Sequence, residues 1–318
     1  MANPILFNIF INRQKLQIMK PNIVFLDAKS NGDVDFSPIS NLGKLTLYDY
    51  TSPEEFYERC IDADVIIVNK FRLMKPEINL LPKLKLICIS ATGMNNVDLE
   101  AAGDKGIPVK NVENYSTDSV AEMTFAMVFE LFRKFSYYDN YVKSGLYSQS
   151  NLFTHHGVPF NEISGKKWGI IGLGNIGKRV AEIAASFKAD ISYYSTSGNN
   201  DDKTYRRESL EDLVSKCDII SIHSPLNSLT QNLIDYEKIC MMRPDAIIVN
   251  VGRGGIVNER DLAKALVENR IKGAAIDVFV DEPLPSDHPF LDNNLNNKLL
   301  LTPHIAWASI EARQRLVN

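Results

Sequence analysis

The sequence predicts an α/β fold built from two doubly wound parallel sheets, on three observations. Short β-rich runs alternate with helical patterns along the whole chain, which is how βαβ units read. The runs fall into two separate series, and the second carries Gly172-Leu173-Gly174-Asn175-Ile176-Gly177 where a strand gives way to a helix.

The elements follow in chain order. Residues 1–18 read as an extension, because Met19 is followed directly by KPNIVFLDA, which has the pattern of a first strand. The apolar stretch from Ile5 to Ile11 is interrupted by Asn8, lacks a preceding positive cluster and is followed by no small-residue cleavage pattern. It reads neither as a signal peptide nor, far below about 20 residues, as a membrane span. The first series then places strands at 22–27, 44–48, 65–69, 84–90 and 108–112. Between the second and third, Ser52-Pro53-Glu54-Glu55 is a capping box with proline at the first helical position and opens a helix to about residue 63.

A long helix is expected to open on a second S-x-x-E, Ser119 to Glu122, and to run to about Phe135. Val120, Met127, Val128 and Leu131 form one face, but Met123, Phe125, Ala126 and Phe129 are apolar as well. A helix apolar on most sides is covered on most sides, which suits a position between domains or subunits. The second series places six parallel strands at 167–172, 190–195, 218–224, 246–251, 273–279 and 298–302, as a dinucleotide-binding sheet requires. The polar stretch 292–297 reads as a surface loop.

Composition narrows the function. With 45% apolar and 23% charged residues and a net charge of -4, the chain is an ordinary globular protein without the basic field that a nucleic acid partner requires. The four cysteines, Cys60, Cys88, Cys217 and Cys240, are far apart and show neither C-x-x-C nor Cys/His ligand spacing. They read as reduced thiols of a cytoplasmic protein, and no metal is expected.

In the glycine loop, Gly172 permits the tight turn, Gly174 lets the backbone approach a pyrophosphate and Gly177 allows close packing of helix on strand. Lys178 to Phe187 reads as the helix that follows, whose N-terminus supplies amide donors to phosphates, and Asn175 and Ile176 join the cofactor set. The second strand of this series should end in a carboxylate that takes the adenosine ribose hydroxyls. Ser195 stands there instead. Serine can bond a ribose but does not repel a 2'-phosphate, so NAD is favoured while NADP stays open.

Ligands of open α/β sheets bind beyond the carboxyl ends of the strands. Three such ends deliver Arg253 in Gly252-Arg253-Gly254-Gly255, Glu282 in Val280-Asp281-Glu282-Pro283, and His304 in Thr302-Pro303-His304. Each alone reads as a surface or structural residue; together they suggest chemistry. A guanidinium matches a carboxylate and polarises a carbonyl, histidine offers a proton near neutral pH, and a neighbouring carboxylate orients the ring. The set fits hydride addition to a 2-keto acid from a nicotinamide cofactor.

GLGNIG, VGRGGIVNE, AAIDVFVDEP and TPHIAWAS, in this order and spacing, closely resemble the D-isomer-specific 2-hydroxyacid dehydrogenase family from about Met19 onward. ATGMNNVDL and AWAS look most like its glycerate dehydrogenase (hydroxypyruvate reductase) branch. The resemblance implies a Rossmann coenzyme domain at 116–304 inserted in a flavodoxin-like substrate domain at 19–115, with 305–318 returning to the latter. It implies that Arg253 binds the substrate carboxylate and keto oxygen, and that His304 is the acid/base with Glu282 as partner. Asp277 would accept from the nicotinamide carboxamide, and Pro225 would join the cofactor set. In the first domain, the turn Ala91-Thr92-Gly93 would offer amides to the substrate carboxylate, and Asn69 and Lys70 would border the pocket in a cleft between the domains. His223 would be structural, near the cofactor, while His155, His156 and His288 read as surface loop residues. Members are typically homodimers and end in a longer helix than 309–318 can form, so the chain looks truncated there.

Hydroxypyruvate or glyoxylate is the favoured substrate, reduced to the D-2-hydroxy acid. The alternatives are a D-lactate dehydrogenase-like activity on pyruvate and a nicotinamide-sensing, corepressor-like binding protein.

Overall fold

The computed structural model describes residues 20–295 and 297–318; the extension expected at 1–18 lies outside them. The described residues divide into two compact units, 20–115 with Ile310–Asn318, and Ser116–Ser309.

Unit 1 holds five strands, β1 (Asn22–Phe25), β2 (Lys44–Leu47), β3 (Val65–Val68), β4 (Leu86–Ile89) and β5 (Val109–Asn111). They pair in parallel in the order β2-β1-β3-β4-β5. The period of two along a strand sends Val24, Ile66 and Val68 to one face and Ile23, Phe25 and Ile67 to the other. Both faces are apolar because both are covered, as in parallel sheets generally. Phe56 and Cys60 of helix Pro53–Cys60 close the first face, and Glu55 secures that helix start by accepting from Ser52 N at 3.0 Å. Burial pushes the Cys60 thiol up to about 12. The Ile310–Val317 helix belongs to this unit: Arg313 Nη1 donates to Asn31 O (3.0 Å) and Asp33 (2.7 Å), and Arg315 Nε to Tyr115 O (2.8 Å).

Unit 2 holds β6 (Lys167–Ile171), β7 (Asp190–Tyr194), β8 (Arg206–Arg207), β9 (Ile219–Ile222), β10 (Ile247–Asn250), β11 (Gly273–Ile276) and β12 (Leu299–Leu301). They form one parallel sheet in the order β12-β11-β10-β9-β6-β7-β8. The six strands read from the sequence are all present, and the seventh, β8, corrects the count. It escapes a periodicity search because it is two arginines long, and it pairs with Ser192 and Tyr193 at the sheet edge.

Helix α1 (Thr117–Arg133) begins earlier than expected, with Ser116 as its N-cap residue. Ser119 is therefore not a cap: inside the first turn, it donates its hydroxyl to Ala306 O at 2.7 Å. The apolar surround of α1 is explained within unit 2, where Val120, Phe125, Val128 and Leu131 share a core with Trp168, Ile170 and Val249. The helix stops at Lys134, whose left-handed backbone (φ 56°) starts a separate helix α2 (Phe135–Lys143). Helix α3 (Asn175–Ser186) adds Val180, Ala181 and Ala184 to the same core. The stretch 292–297 is not wholly a surface loop, since Leu295 is buried in the other core of this unit. No helix among the described residues is long and apolar enough to cross a membrane.

Candidate active site

Strands β10, β11 and β12 are neighbours and parallel, so their carboxyl ends lie side by side. Arg253 follows β10, Glu282 follows β11 and His304 follows β12. The Arg253 turn is built by Asn250, the buried last residue of β10. Its Nδ2 donates to Arg253 O (2.9 Å) and its Oδ1 accepts from Gly252 N (3.1 Å). Arg253 is half-buried, with Nη1 donating to Gly252 O at 2.8 Å.

His304 Nδ1 lies 2.7 Å from one oxygen of Glu282 and 2.8 Å from the other. Both side chains keep about a quarter of their surface open, 23% and 26%. With Nδ1 committed to a carboxylate, Nε2 is the ring nitrogen that this contact leaves for other partners. His304 has a left-handed backbone (φ 55°), which for a non-glycine residue costs on the order of 1–3 kcal/mol and persists only where the surroundings enforce it. The enforcement comes from Asp277. Its carbonyl accepts from His304 N (2.7 Å), and its buried carboxylate accepts from Thr302 Oγ1 (2.5 Å), Ile305 N and Ala306 N (both 2.9 Å). Successive amides closing on one carboxylate form an anion nest. Burial pushes the Asp277 carboxyl up, against these bonds and the nearby His304, which lower it.

The glycine loop follows β6. Gly172 has φ 90°, and a Cβ there would meet Ser224 N at 2.9 Å. At Gly177 a Cβ would lie 2.3 Å from Gly172 O, so only glycine lets α3 pack this closely on its strand. A Cβ at Gly174 would meet nothing within 4 Å, which is the open side a pyrophosphate needs. Gly174 is the N-cap of α3, with Asn175 and Ile176 as its first two residues, at the positive end of the helix dipole that favours a phosphate. These features fit a bound dinucleotide.

Ser195 directly follows β7 but is turned into its own loop, 5% exposed and accepting from Asn200 N at 3.2 Å. Asn200 in turn donates to Leu173 O at 2.6 Å and ties this loop to the glycine loop. Pro225 is exposed just past β9, its carbonyl accepting from Thr230. His223 is linked through Nε2 to Ser221 Oγ (3.0 Å), which also accepts from Trp168 Nε1 (2.9 Å). The ring keeps some exposed surface, but Nδ1 itself is sealed and finds no hydrogen-bond partner among the described residues, and burial lowers the imidazole to about 3, so that it is held neutral.

In unit 1 the turns after β3 and β4 carry the remaining expected residues. Asp27, buried at the end of β1, accepts from the successive amides of Asn69, Lys70 and Phe71. Asn69 Nδ2 reaches Ser30 Oγ (2.9 Å), and Asn96 Nδ2 bonds Asn69 O and Phe71 O (both 3.1 Å). Thr92 is exposed; its hydroxyl donates to Val112 O (3.0 Å) and its carbonyl accepts from Asn111 Nδ2 (2.7 Å). Gly93 sits half-buried beside it.

Two histidines depart from the surface reading. His288 has a side chain only 12% exposed and pairs with Glu259 at 2.9 Å. His155 stacks on Tyr141 with centroids 3.7 Å apart. His156 is exposed, as read. Asn250, Asp27 and Glu259 were missed as participants. For the first two the available signal was a polar residue closing an apolar strand run, the pattern that singled out His304.

Fold and strand-end chemistry together define a dinucleotide-dependent oxidoreductase. Residues 125–306 match the model of the D-isomer specific 2-hydroxyacid dehydrogenase NAD binding domain. The chain is 33% identical to hydroxypyruvate reductase of Blautia hydrogenotrophica, covering 93% of each. It is 35% identical to glycerate dehydrogenase of Methylorubrum extorquens, covering 94% of each. The crystal structure of D-lactate dehydrogenase from Aquifex aeolicus with NAD and lactic acid superposes with a TM-score of 0.79 at 25% identity, over 93% of this chain and 92% of that one. The chain belongs to the D-isomer specific 2-hydroxyacid dehydrogenase family.

Proposed function

We propose that the protein reduces hydroxypyruvate or glyoxylate to the D-2-hydroxy acid, with His304 as proton donor. The observation that carries this reading is the His304–Glu282 contact on a strand end adjacent to the one that bears Arg253. When bound, the reduced nicotinamide supplies a hydride to the carbonyl carbon. Arg253 holds the substrate carboxylate and polarises the keto oxygen, and that oxygen takes a proton from His304 Nε2 as the C–O bond becomes single. Glu282 orients the ring and stabilises the imidazolium that carries the proton. The glycine loop at Gly172, Gly174, Asn175, Ile176 and Gly177 holds the pyrophosphate, with Ser195, Pro225 and Asp277 assigned to the rest of the dinucleotide. NAD is favoured over NADP. In unit 1, the amide-rich turn at Thr92 and Gly93 and the turn at Asn69 and Lys70 are assigned to the substrate, which makes this the substrate-binding domain. The substrate choice rests on relatives named for hydroxypyruvate and glycerate.

A homodimer is part of the same proposal, supported by the exposed aromatic surface of α2 and the segment after it. So is a reducing, cytoplasmic compartment, supported by four unpaired cysteines. The direct test follows NADH and NADPH oxidation with hydroxypyruvate, glyoxylate and pyruvate. Turnover is expected with one of the first two and is greater with NADH; no turnover with any of the three would refute the assignment.

A further inference from the structure

A second histidine–carboxylate pair, Glu259 with His288, lies in the same unit. Glu259 is the opening residue of helix α4 (Glu259–Val267), yet its carboxylate serves neighbours outside that helix, because Asn258 already caps it by accepting from Asp261 N. One oxygen of Glu259 accepts from Val280 N at 2.8 Å and the other lies 2.9 Å from His288 Nε2. Phe290 N donates to His288 Nδ1 at 3.2 Å, which leaves Nδ1 bare and puts the ring proton on Nε2, facing the carboxylate. The pair is largely enclosed, with 12% and 11% of the two side chains exposed.

One carboxylate thus fastens both ends of the strap from Val280 to His288, and Glu282 lies inside that strap. Glu282 is also tied at its root, accepting from Phe279 N at 3.1 Å. On the other side the Arg253 turn leans on the same peptide: a Cβ at Gly254 would lie 2.0 Å from Phe279 O and 2.5 Å from Val280 N. Any shift of the Phe279–Val280 peptide therefore moves Glu282 and presses on the Arg253 turn together.

We infer that Glu259 and His288 are positioning residues for the reduction, holding Glu282 against His304 and in register with Arg253. The inference rests on the reading of Glu282 and His304 given above. A carboxylate is required at 259, since its two oxygens serve two donors; the amide of Glu259→Gln offers one acceptor and would leave either Val280 N or His288 Nε2 unmatched. His288→Gln keeps a donor of similar reach and acts as the conservative variant.

The test is a double-mutant cycle on the full-length protein, with His288→Ala and Glu259→Gln each made alone and with Glu282→Gln. It reads kcat, NADH affinity from fluorescence titration, and Tm. Each single variant is expected to lower kcat several-fold and to leave the NADH Kd within about twofold, with His288→Gln recovering part of the loss. In the Glu282→Gln background the further loss is expected to shrink to about twofold or less, because residues that act through one partner do not add. Losses that multiply in the double variants, or wild-type kcat in both single variants, would overturn the inference. Should His288→Ala fail to fold, Glu259→Gln carries the cycle alone. Undiminished kcat in Glu282→Gln by itself would instead refute the reading of Glu282, and the inference with it.

Discussion

His304 illustrates what one residue needs from its surroundings. Its left-handed backbone is wrapped on Asp277, so the proposed proton donor is aimed by a buried aspartate 27 positions away in sequence. His304, Arg253 and Glu282 were legible because each directly or closely follows an apolar strand run, and parallel topology brings such ends together. Asp277 as a clamp, Asn250 as the builder of the arginine turn and the Glu259–His288 pair were not. Their partners are set by loop conformation, which leaves no period in the sequence. His223 carries a prediction at this scale. Burial lowers it to about 3 in the folded chain, while an unfolded histidine titrates near 6.5. Below about 6.5 the unfolded chain therefore binds the extra proton, and stability falls as pH drops, by at most about 1.4 kcal/mol per unit. Urea unfolding at pH 7 and pH 5 should show a steeper loss for the wild type than for His223→Asn; equal slopes would contradict the neutral, buried imidazole.

The strands were readable as elements because a sheet covered on both faces writes itself as near-continuous apolar runs, as in Ile247–Asn250. The two-residue β8 carries no such signal, and the start of α1 was misread because a capping-box spelling at Ser119 falls one turn inside the helix. Helix α2 and the segment after it hold a different kind of information. His155 packs on Tyr141 and bonds Tyr137 OH at 3.1 Å, pinning that segment to α2. Phe135, Leu152 and Phe153 remain exposed at 58%, 67% and 91%. Large apolar side chains left in the open are what the proposed homodimer would cover. Light scattering behind size exclusion should give the mass of two chains for the wild type and of one for Phe153→Asp. A one-chain mass for the wild type would contradict the dimer.

At the scale of the molecule, each unit is a doubly wound parallel sheet, and His304, Glu282 and Arg253 all come from unit 2. The two parallel sheets were legible as two series of apolar runs alternating with helical patterns, and the family from four ordered motifs, most of them a turn that follows an apolar strand. The polar network of Asp27, Asn69 and Asn96 in unit 1 was not, since it is assembled from three separate loops of the chain. The account as a whole depends on His304 as the proton donor. The most direct measurement compares His304→Gln with the wild type in NADH-dependent reduction of hydroxypyruvate, beside NADH binding followed by fluorescence. We expect kcat to fall by about 10²–10⁴-fold, the usual contribution of a positioned acid, with the NADH Kd within about twofold of wild type. An unchanged kcat would contradict the account.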